Sequence, residues 1–340
     1  MTTHMRREIE EIPEAAARLL DRSGALLAEA GRAIGARDPH FLVTVARGSS
    51  DHAATFMKYA VELTAGLAVA SVGPSVASVY GRQLRLAGAA CLAISQSGKS
   101  PDIVAMAESA RRGGALTIAL TNTAGSPLAA ASDHAIDIMA GLERSVAATK
   151  TFVNSTVAGL ALMAHATGDE KLLAALSELP EQFGRAVACD WSPLTGALDG
   201  HNSLFILGRG PSFAMANEAA LKFKETSSVH AEAYSAAEVM HGPLALVGPG
   251  FPVLALAARD ASEPSLVEGA DGMTSKGAAV FITSGKAQRA MHLPHVATGH
   301  PLTDPLTLIV SFYGFIEGFA RHRGLDPDQP PNLRKVTETR

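Results

Sequence analysis

The sequence is poor in cysteine and in charged residues. Two of its 340 residues are cysteines, and 18% are charged. Neither the number nor the spacing of Cys91 and Cys189 suggests a disulfide framework or a metal site. We therefore expect two buried free thiols, of the kind found in a reduced cytoplasm, and no metal ion or other cofactor.

An excess of positive charge and long hydrophobic runs are also absent. The formal net charge of −4 at pH 7 gives no electrostatic reason to expect nucleic acid or an anionic membrane as a partner. The longest late apolar run, 306–319, is interrupted by Glu317 and is too short to span a bilayer. The N-terminus is charged and amphipathic, unlike a signal sequence. We expect a soluble, cytoplasmic protein.

Apolar residues make up 47% of the chain, which is sufficient for well-filled cores. Continuous apolar runs at 40–50, 91–95 and 115–122 are typical of buried strands, and segments with helical spacing separate them. A further helix is expected over 14–30. This alternation predicts an α/β fold with a doubly wound parallel sheet and helices on both faces.

The strand pattern occurs twice. The segment 203–212 resembles 40–50, and Gly210 follows Gly48 by 162 residues. Later apolar runs in the second half stand at nearly the same offset, which indicates a duplicated α/β unit. The Pro, Gly and Asp content of 190–202 is typical of a link. We therefore predict two domains, 1–190 and 191–340.

A polar loop, Ser-Gln-Ser-Gly-Lys-Ser at 95–100, follows the second strand of the first repeat. Ligands of open parallel sheets bind beyond the carboxyl ends of the strands. Ser100 is placed as an N-cap before Pro101, so free N–H groups and the positive end of a helix dipole face the loop. The loop is suited to a phosphate monoester, and Ser50 in the preceding loop strengthens this interpretation over a simple capped turn. The second repeat has lost these serines.

The richest polar stretch is 217–247. Lys222 and Glu225 are three residues apart and share a helix face, whereas Lys224 points away. Such a pair alone is more often a solvated ion pair than a catalytic one. Histidines and glutamates follow closely, but no metal-binding spacing appears among them.

Five motifs in order along the chain carry a family resemblance: "SQSGKSPD", "SVAATKTF", "LGRGPSFAMANEAALKFKE", "HAEAYSAAEVMHGPLAL" and "DQPPNLRKVT". Together they resemble the isomerase half of glucosamine-6-phosphate synthase, which is a tandem of two sugar isomerase (SIS) domains. The resemblance covers essentially the whole chain. It implies two tandem, flavodoxin-like SIS lobes.

The resemblance also implies the roles of individual residues. The phosphate of a hexose 6-phosphate would be bound by Ser50, Ser95, Gln96, Ser97 and Ser100, and the sugar would be lined by Val146 and Ala147. Glu225 would transfer the proton, with Lys222 beside it, and Lys335 of the tail would engage the substrate carbonyl. His241 would open the sugar ring from the partner subunit, which implies a homodimer.

The chain departs from the family pattern at three places. Arg47 begins the first loop where the family has cysteine, Ala148 replaces a common serine, and Met240 replaces a lysine before His241. We read Met240 as surface variation. The role of Arg47 is left open.

The chemistry that the resemblance implies is aldose–ketose isomerisation of an amino sugar phosphate. The sequence leaves no room for a glutaminase domain, so we expect a glutamine-independent glucosamine-6-phosphate deaminase that yields fructose 6-phosphate and ammonia. Ring opening, proton transfer between C1 and C2, and imine hydrolysis would be its steps. The alternatives are an isomerase or deglycase for another amino- or fructosamine 6-phosphate, and a non-catalytic sugar-phosphate sensor.

Overall fold

Two five-stranded parallel sheets, each in its own compact unit, organise the chain. The computed structural model of the protein describes residues 2–335. The N-unit contains residues 11–143, 150–180, 334 and 335, and the C-unit contains 2–10, 144–149 and 181–333. Both sheets are covered by helices, and the predicted α/β fold of two lobes is confirmed.

In the N-unit the strands lie in the order β2-β1-β3-β4-β5, and every neighbouring pair is parallel. The strands are β1 Phe41–Val45, β2 Val69–Ser71, β3 Ala89–Ile94, β4 Leu116–Thr121 and β5 His134–Asp137. The helices are α2 Ile12–Arg22, α3 Gly24–Arg37, α4 Ser49–Ala65, α5 Ser75–Ser78, α6 Pro101–Arg112, α7 Pro127–Ala131 and α8 Lys150–Thr167.

In the C-unit the order is β7-β6-β8-β9-β10, again with parallel neighbours. The strands are β6 Ser203–Gly208, β7 His230–Ser235, β8 Pro252–Ala255, β9 Ala279–Ile282 and β10 Met291–His292. The helices are α1 His4–Glu10, α10 Pro193–Leu198, α11 Pro211–Ser227, α12 Glu263–Thr274 and α13 Asp304–His322, while α9 Glu170–Val187 contributes residues to both units.

The two glycines that suggested a repeat have the same backbone conformation. Gly48 has φ 56° and ψ −134°, and Gly210 has φ 59° and ψ −138°. Gly48 is the N-cap of the helix after β1, and Gly210 is the N-cap of the helix after β6. Each of these strands lies next to an edge strand of its sheet. Glycine reaches positive φ without a Cβ clash, so this sharp strand-to-helix turn explains why the motif is retained in both halves.

The N-terminal helix expected over 14–30 is wrong, because the chain breaks at Ser23 between α2 and α3. The Ser23 hydroxyl donates to the Asp137 carbonyl at 2.7 Å, and Ser23 is wholly buried. A buried hydroxyl requires an acceptor, and the carbonyl at the end of β5 provides it.

The segment 190–202 is better ordered than a link. It carries α10 and a buried Trp191, whose indole N–H donates to the Pro294 carbonyl at 2.7 Å. The domain boundary at residue 190 stays a prediction.

Apolar side chains from the strands and flanking helices fill a core beneath each sheet, including Cys91 in the N-unit and Phe205 in the C-unit. Burial raises the pKa of the Cys91 thiol to about 12, as expected for an inert structural cysteine. Cys189 is half-buried rather than buried, contrary to expectation. Among residues 2–335, no helix is both long and apolar enough to cross a bilayer.

Candidate functional site

The serine loop, residues 95–100, lies between the end of β3 and the start of α6. Ser100 is the N-cap in an extended conformation and Pro101 is the first helical residue, as predicted. The Ser100 side chain makes no capping hydrogen bond. Pro101 has no N–H, and the Ile103 N–H donates to Asp102 Oδ1 at 2.9 Å. The Ser100 hydroxyl is thus the side-chain donor that this helix start offers to an anion.

Gly98 shapes the serine loop. It has φ 61°, and a Cβ at this position would lie 2.2 Å from Ser126 Oγ. The Gly98 N–H donates to the Ser95 carbonyl at 3.2 Å, and the Gln96 carbonyl accepts from the Asn122 N–H at 3.0 Å. The loop is thus fixed to the end of β4 before any ligand binds. Ser95 is buried, whereas Gln96, Ser97 and Ser100 are half-buried.

Arg47 connects the first loop to α6. Its Nε and Nη2 atoms donate to Asp102 Oδ2 at 3.0 and 2.8 Å. Asp102 is wholly buried in the first turn of α6. Ser50, half-buried, lies three residues after Arg47 in the first turn of α4. Strands β1 and β3 pair along five residues. The contact between Arg47 and Asp102 therefore joins the loop after β1 to the helix that follows β3.

The equivalent loop of the C-unit is occupied by its own acids. Asp260 Oδ1 accepts from the backbone N–H and the hydroxyl of Ser262 at 2.7 and 2.6 Å. Glu263 begins α12, is buried, and accepts from the Ser284 hydroxyl at 2.7 Å and from Lys286. Asp260 thus takes the N–H and hydroxyl of the N-cap Ser262, while at the start of α6 in the N-unit Asp102 Oδ1 accepts from the Ile103 N–H at 2.9 Å. That one repeat alone kept the anion loop stays a prediction.

A buried acid–base cluster lies on α11 of the C-unit. Lys222 is wholly buried, donates to Glu225, and lies 3.3 Å from Glu218 Oε1. Burial disfavours the ammonium, but the two carboxylates outweigh it and raise the pKa of Lys222. The solvated-pair interpretation of Lys222 and Glu225 is therefore wrong, while Lys224 is exposed as predicted.

Glu218 and Tyr313 complete this cluster and were missed by sequence reasoning. The Tyr313 hydroxyl donates to Glu218 Oε1 at 3.1 Å, and both side chains are wholly buried. The signal for Glu218 was its place four residues before Lys222 on the same helix face. Glu225 keeps 18% of its side chain exposed, against none for Glu218, so Glu225 is the carboxylate that a substrate can reach.

The tail lysine has a buried partner within the N-unit. Lys335 Nζ lies 2.9 Å from Glu143 Oε2, and the Glu143 side chain is wholly buried. Thr151 donates its hydroxyl to the same oxygen at 2.7 Å and its N–H to Glu143 Oε1 at 3.2 Å. Glu143 and Gln96 line one cavity of about 440 Å³. Gln96 of the serine loop and the partner of the tail lysine thus face the same space.

The segment 144–147 is held by an acid from α1. Glu8 accepts from the N–H groups of Arg144 and Ser145 and from the Ser145 hydroxyl. Val146 is half-buried and Ala147 is wholly buried. The side chain of Val146, rather than that of Ala147, is therefore the one presented outward.

His241 is exposed between two short 3₁₀ helices, Glu238–Met240 and Pro243–Leu246. Within the described part of the chain, no hydrogen bond or ion pair joins its ring to Glu225. Met240 beside it is also exposed, in agreement with surface variation at that position. The roles assigned to all these side chains remain predictions.

A family model described as the SIS domain matches residues 37–165 and 198–292. The isomerizing glutamine–fructose-6-phosphate aminotransferase of Aeropyrum pernix is 34% identical and matches 98% of the chain but 56% of its own length. That of Symbiobacterium thermophilum is also 34% identical, over 86% of the chain and 50% of its own length. The chain thus spans about half the length of these curated relatives.

Solved structures agree with these matches. A Silicibacter pomeroyi protein described as a phosphosugar isomerase is 59% identical, with a TM-score of 0.94 over 96% of this chain and 100% of its own. Glucosamine-6-phosphate deaminase of Thermotoga maritima, at 22% identity and a TM-score of 0.76 over 99% of this chain and 100% of its own, shares the fold.

Proposed function

Because this chain belongs to the SIS domain family, we propose that it is a phosphosugar enzyme that converts glucosamine 6-phosphate into fructose 6-phosphate and ammonia. The buried Glu218–Lys222–Glu225 cluster is the observation that carries the proposal. A sugar sensor needs no partly exposed carboxylate fixed by a buried lysine. The 59% identity to a protein described as a phosphosugar isomerase supports the same class of reaction.

The serine loop supplies phosphate recognition in this proposal. Hydroxyls of Ser97 and Ser100, and of Ser50 in the first loop, would donate to phosphate oxygens at the start of α6. Because Gly98 and the Gln96 carbonyl fix the loop in advance, little ordering is required on binding.

Glu225 would transfer the proton. In the open-chain aldehyde it removes the C2 proton and returns it to C1. The C1 oxygen gains a proton and the C2 amine loses one, so that the aldehyde becomes an alcohol and C2 becomes an imine. Water then adds at C2, and ammonia leaves to give fructose 6-phosphate. A carboxylate is suited to this shuttle because one flexible base can reach both carbons. Lys222 holds it in place.

Lys335 would act on the C1 carbonyl oxygen, and His241 would act in the opening of the sugar ring. The Lys335 ammonium, held by Glu143, would polarise the carbonyl oxygen at C1 as charge develops there. An imidazole can both accept and donate a proton, which is suited to opening the ring. Since the His241 side chain is exposed, we propose that it serves the partner subunit's site in a homodimer.

The test is ammonia release by purified protein from glucosamine 6-phosphate without glutamine. Galactosamine and fructosamine 6-phosphates serve as competing substrates, and fructose 6-phosphate with ammonium tests the reverse direction. The proposal predicts ammonia and fructose 6-phosphate in equal amounts from glucosamine 6-phosphate. Turnover of another phosphosugar alone would reassign the substrate, and tight binding without turnover of any would favour the sensor.

The shared site is tested by subunit mixing. His241→Ala and Glu225→Gln proteins should each be inactive, while a mixture refolded together should regain activity through dimers that contain one intact site. A mixture as inactive as its components would place both residues in the same subunit's site.

A further inference from the structure

Arg47 uses one edge of its guanidinium and leaves the other open. Nε and Nη2 both donate to Asp102 Oδ2. Among residues 2–335, no carboxylate or carbonyl accepts from Nη1, and 51% of the Arg47 side chain is exposed. A guanidinium carries five donors in a planar fork. The Nη1–Nη2 edge therefore remains free for a second, external acceptor.

The Arg47 guanidinium lies near the start of α6, where an anion is expected. Asp102 lies in the first turn of α6, directly after Ser100 and Pro101, so its partner Arg47 lies at the start of the same helix. An unpaired, wholly buried carboxylate there would repel an incoming phosphate dianion. The Arg47 charge cancels it. On α4, burial raises the pKa of Asp51, and the charges of His52 and Arg47 oppose that rise.

The C-unit provides an internal comparison. Arg209 precedes Gly210 as Arg47 precedes Gly48, and the two glycines share one conformation. The described residues include no ion pair from Arg209, and Pro264 stands at the position equivalent to Asp102. The arginine–aspartate pair thus occurs in the unit that kept the serine loop, rather than being required by the repeated scaffold.

We propose that Arg47 is a specificity-determining phosphate ligand, whose free Nη1–Nη2 edge binds two phosphoryl oxygens while Asp102 holds its other edge. This inference rests on the proposed function, since it adds a charged donor to the phosphate site described there. The planar guanidinium of an arginine can donate two parallel hydrogen bonds to two oxygens of one phosphate group. Under this proposal the substrates are sugars that carry a terminal phosphate dianion.

The experiment measures fructose 6-phosphate binding by calorimetry, which does not depend on turnover. Arg47→Ala should weaken binding by about tenfold to a hundredfold, the effect of one charge-assisted contact. It should also lower the Tm, because the wholly buried Asp102 loses its guanidinium partner, so binding is measured well below the Tm of each variant. Arg209→Ala is the matched control and should bind as wild type does. Arg47→Lys should fall between, because it keeps the charge and loses the fork.

Asp102→Asn separates a ligand from an anchor. If Arg47 binds phosphate, this variant removes an opposing negative charge and binding should be retained or strengthened. If Arg47 only ties the two loops together, Asp102→Asn should weaken binding as much as Arg47→Ala does. That result, or unchanged binding by Arg47→Ala, would overturn the inference.

The outcome is distinguishable from failure of the proposed reaction. Arg47-dependent binding without ammonia release would leave this inference standing and remove the deaminase. Ammonia release by wild type and equally by Arg47→Ala would support the deaminase and overturn the phosphate-binding role of Arg47. Absence of any fructose 6-phosphate binding by wild-type protein would overturn both.

Discussion

Lys222 Nζ lies 3.3 Å from the Oε1 atom of Glu218, and neither side chain has any exposed surface. A second carboxylate, Glu225, accepts from the same ammonium. One buried positive charge therefore serves two negative ones, and the Tyr313 hydroxyl supports the deeper carboxylate. This arrangement fixes Glu225 at the edge of a charged cluster with part of its side chain accessible.

Replacing Lys222 should be far more damaging than replacing its neighbour on α11. Lys222→Met leaves two carboxylates around a buried apolar group and should lower the free energy of unfolding by about 3–5 kcal/mol. Lys224→Met, on the exposed face, should change it by about 0.5 kcal/mol or less. Denaturant unfolding of both variants provides the measurement. Equal effects would mean that the cluster is solvated.

Ser97→Ala should raise KM for the phosphosugar by about tenfold to a hundredfold while leaving kcat nearly unchanged, because one charge-assisted hydrogen bond is worth roughly 1.5–3 kcal/mol. Ser177→Ala, which removes an exposed hydroxyl on α9, is the control. Steady-state kinetics of the two variants against wild type decides the matter. An unaltered KM would remove Ser97 from the phosphate site.

Glu143→Gln should lower kcat by roughly tenfold to a hundredfold, since the amide keeps contact with Thr151 but loses the charge that holds Lys335. KM should change little, because Glu143 belongs to the tail contact rather than to the serine loop. Glu108→Gln, an exposed acid on α6, should be neutral. A lower Tm with unchanged kcat would make Glu143 purely structural.

Glu317 gives a pH-dependent prediction for α1 and α13 of the C-unit. Burial opposes its charge, but hydrogen bonds from Arg321 and Thr3 and the charge of Arg6 together lower its pKa from the ordinary 4.5. A lowered pKa stabilises the fold above the ordinary value, and this contribution is lost as pH falls through the folded value. Glu317→Gln should cost roughly 2–3 kcal/mol at neutral pH, and less in acid.

Chemical denaturation of wild type and Glu317→Gln across the acid range tests this sign. The stability difference should shrink as the pH drops below 4.5. Glu14→Gln is the control, because its carboxylate is 82% exposed and lies 3.8 Å from Arg18. A difference that stays constant with pH would show that Glu317 acts through packing alone.

The sequence predicted what depends on local spacing. Three features follow from rules that act within a few residues. They are the start of α6 at Pro101, the glycine turns at Gly48 and Gly210, and the shared helix face of Lys222 and Glu225. Short strands such as β2 and β10 escaped prediction because pairing with a neighbour, not composition, makes them strands.

Long-range partners could not be predicted in the same way. Glu143 meets Lys335 across 192 positions, and Arg47 meets Asp102 across 55. Nothing in the local pattern around Glu143 or Asp102 marks them as buried acids, since polar residues are read as exposed by default. The tertiary fold brings their partners to them, and only then does their burial make chemical sense.

The central claim is that Glu225 carries the proton transfer without contributing to phosphate binding. Its most direct test compares ammonia release from glucosamine 6-phosphate with fructose 6-phosphate affinity, in wild type and in Glu225→Gln. The account predicts that turnover falls by about 10²–10⁴-fold while affinity stays within roughly threefold, a change of well under 1 kcal/mol. Retained turnover, or loss of binding together with turnover, would contradict it.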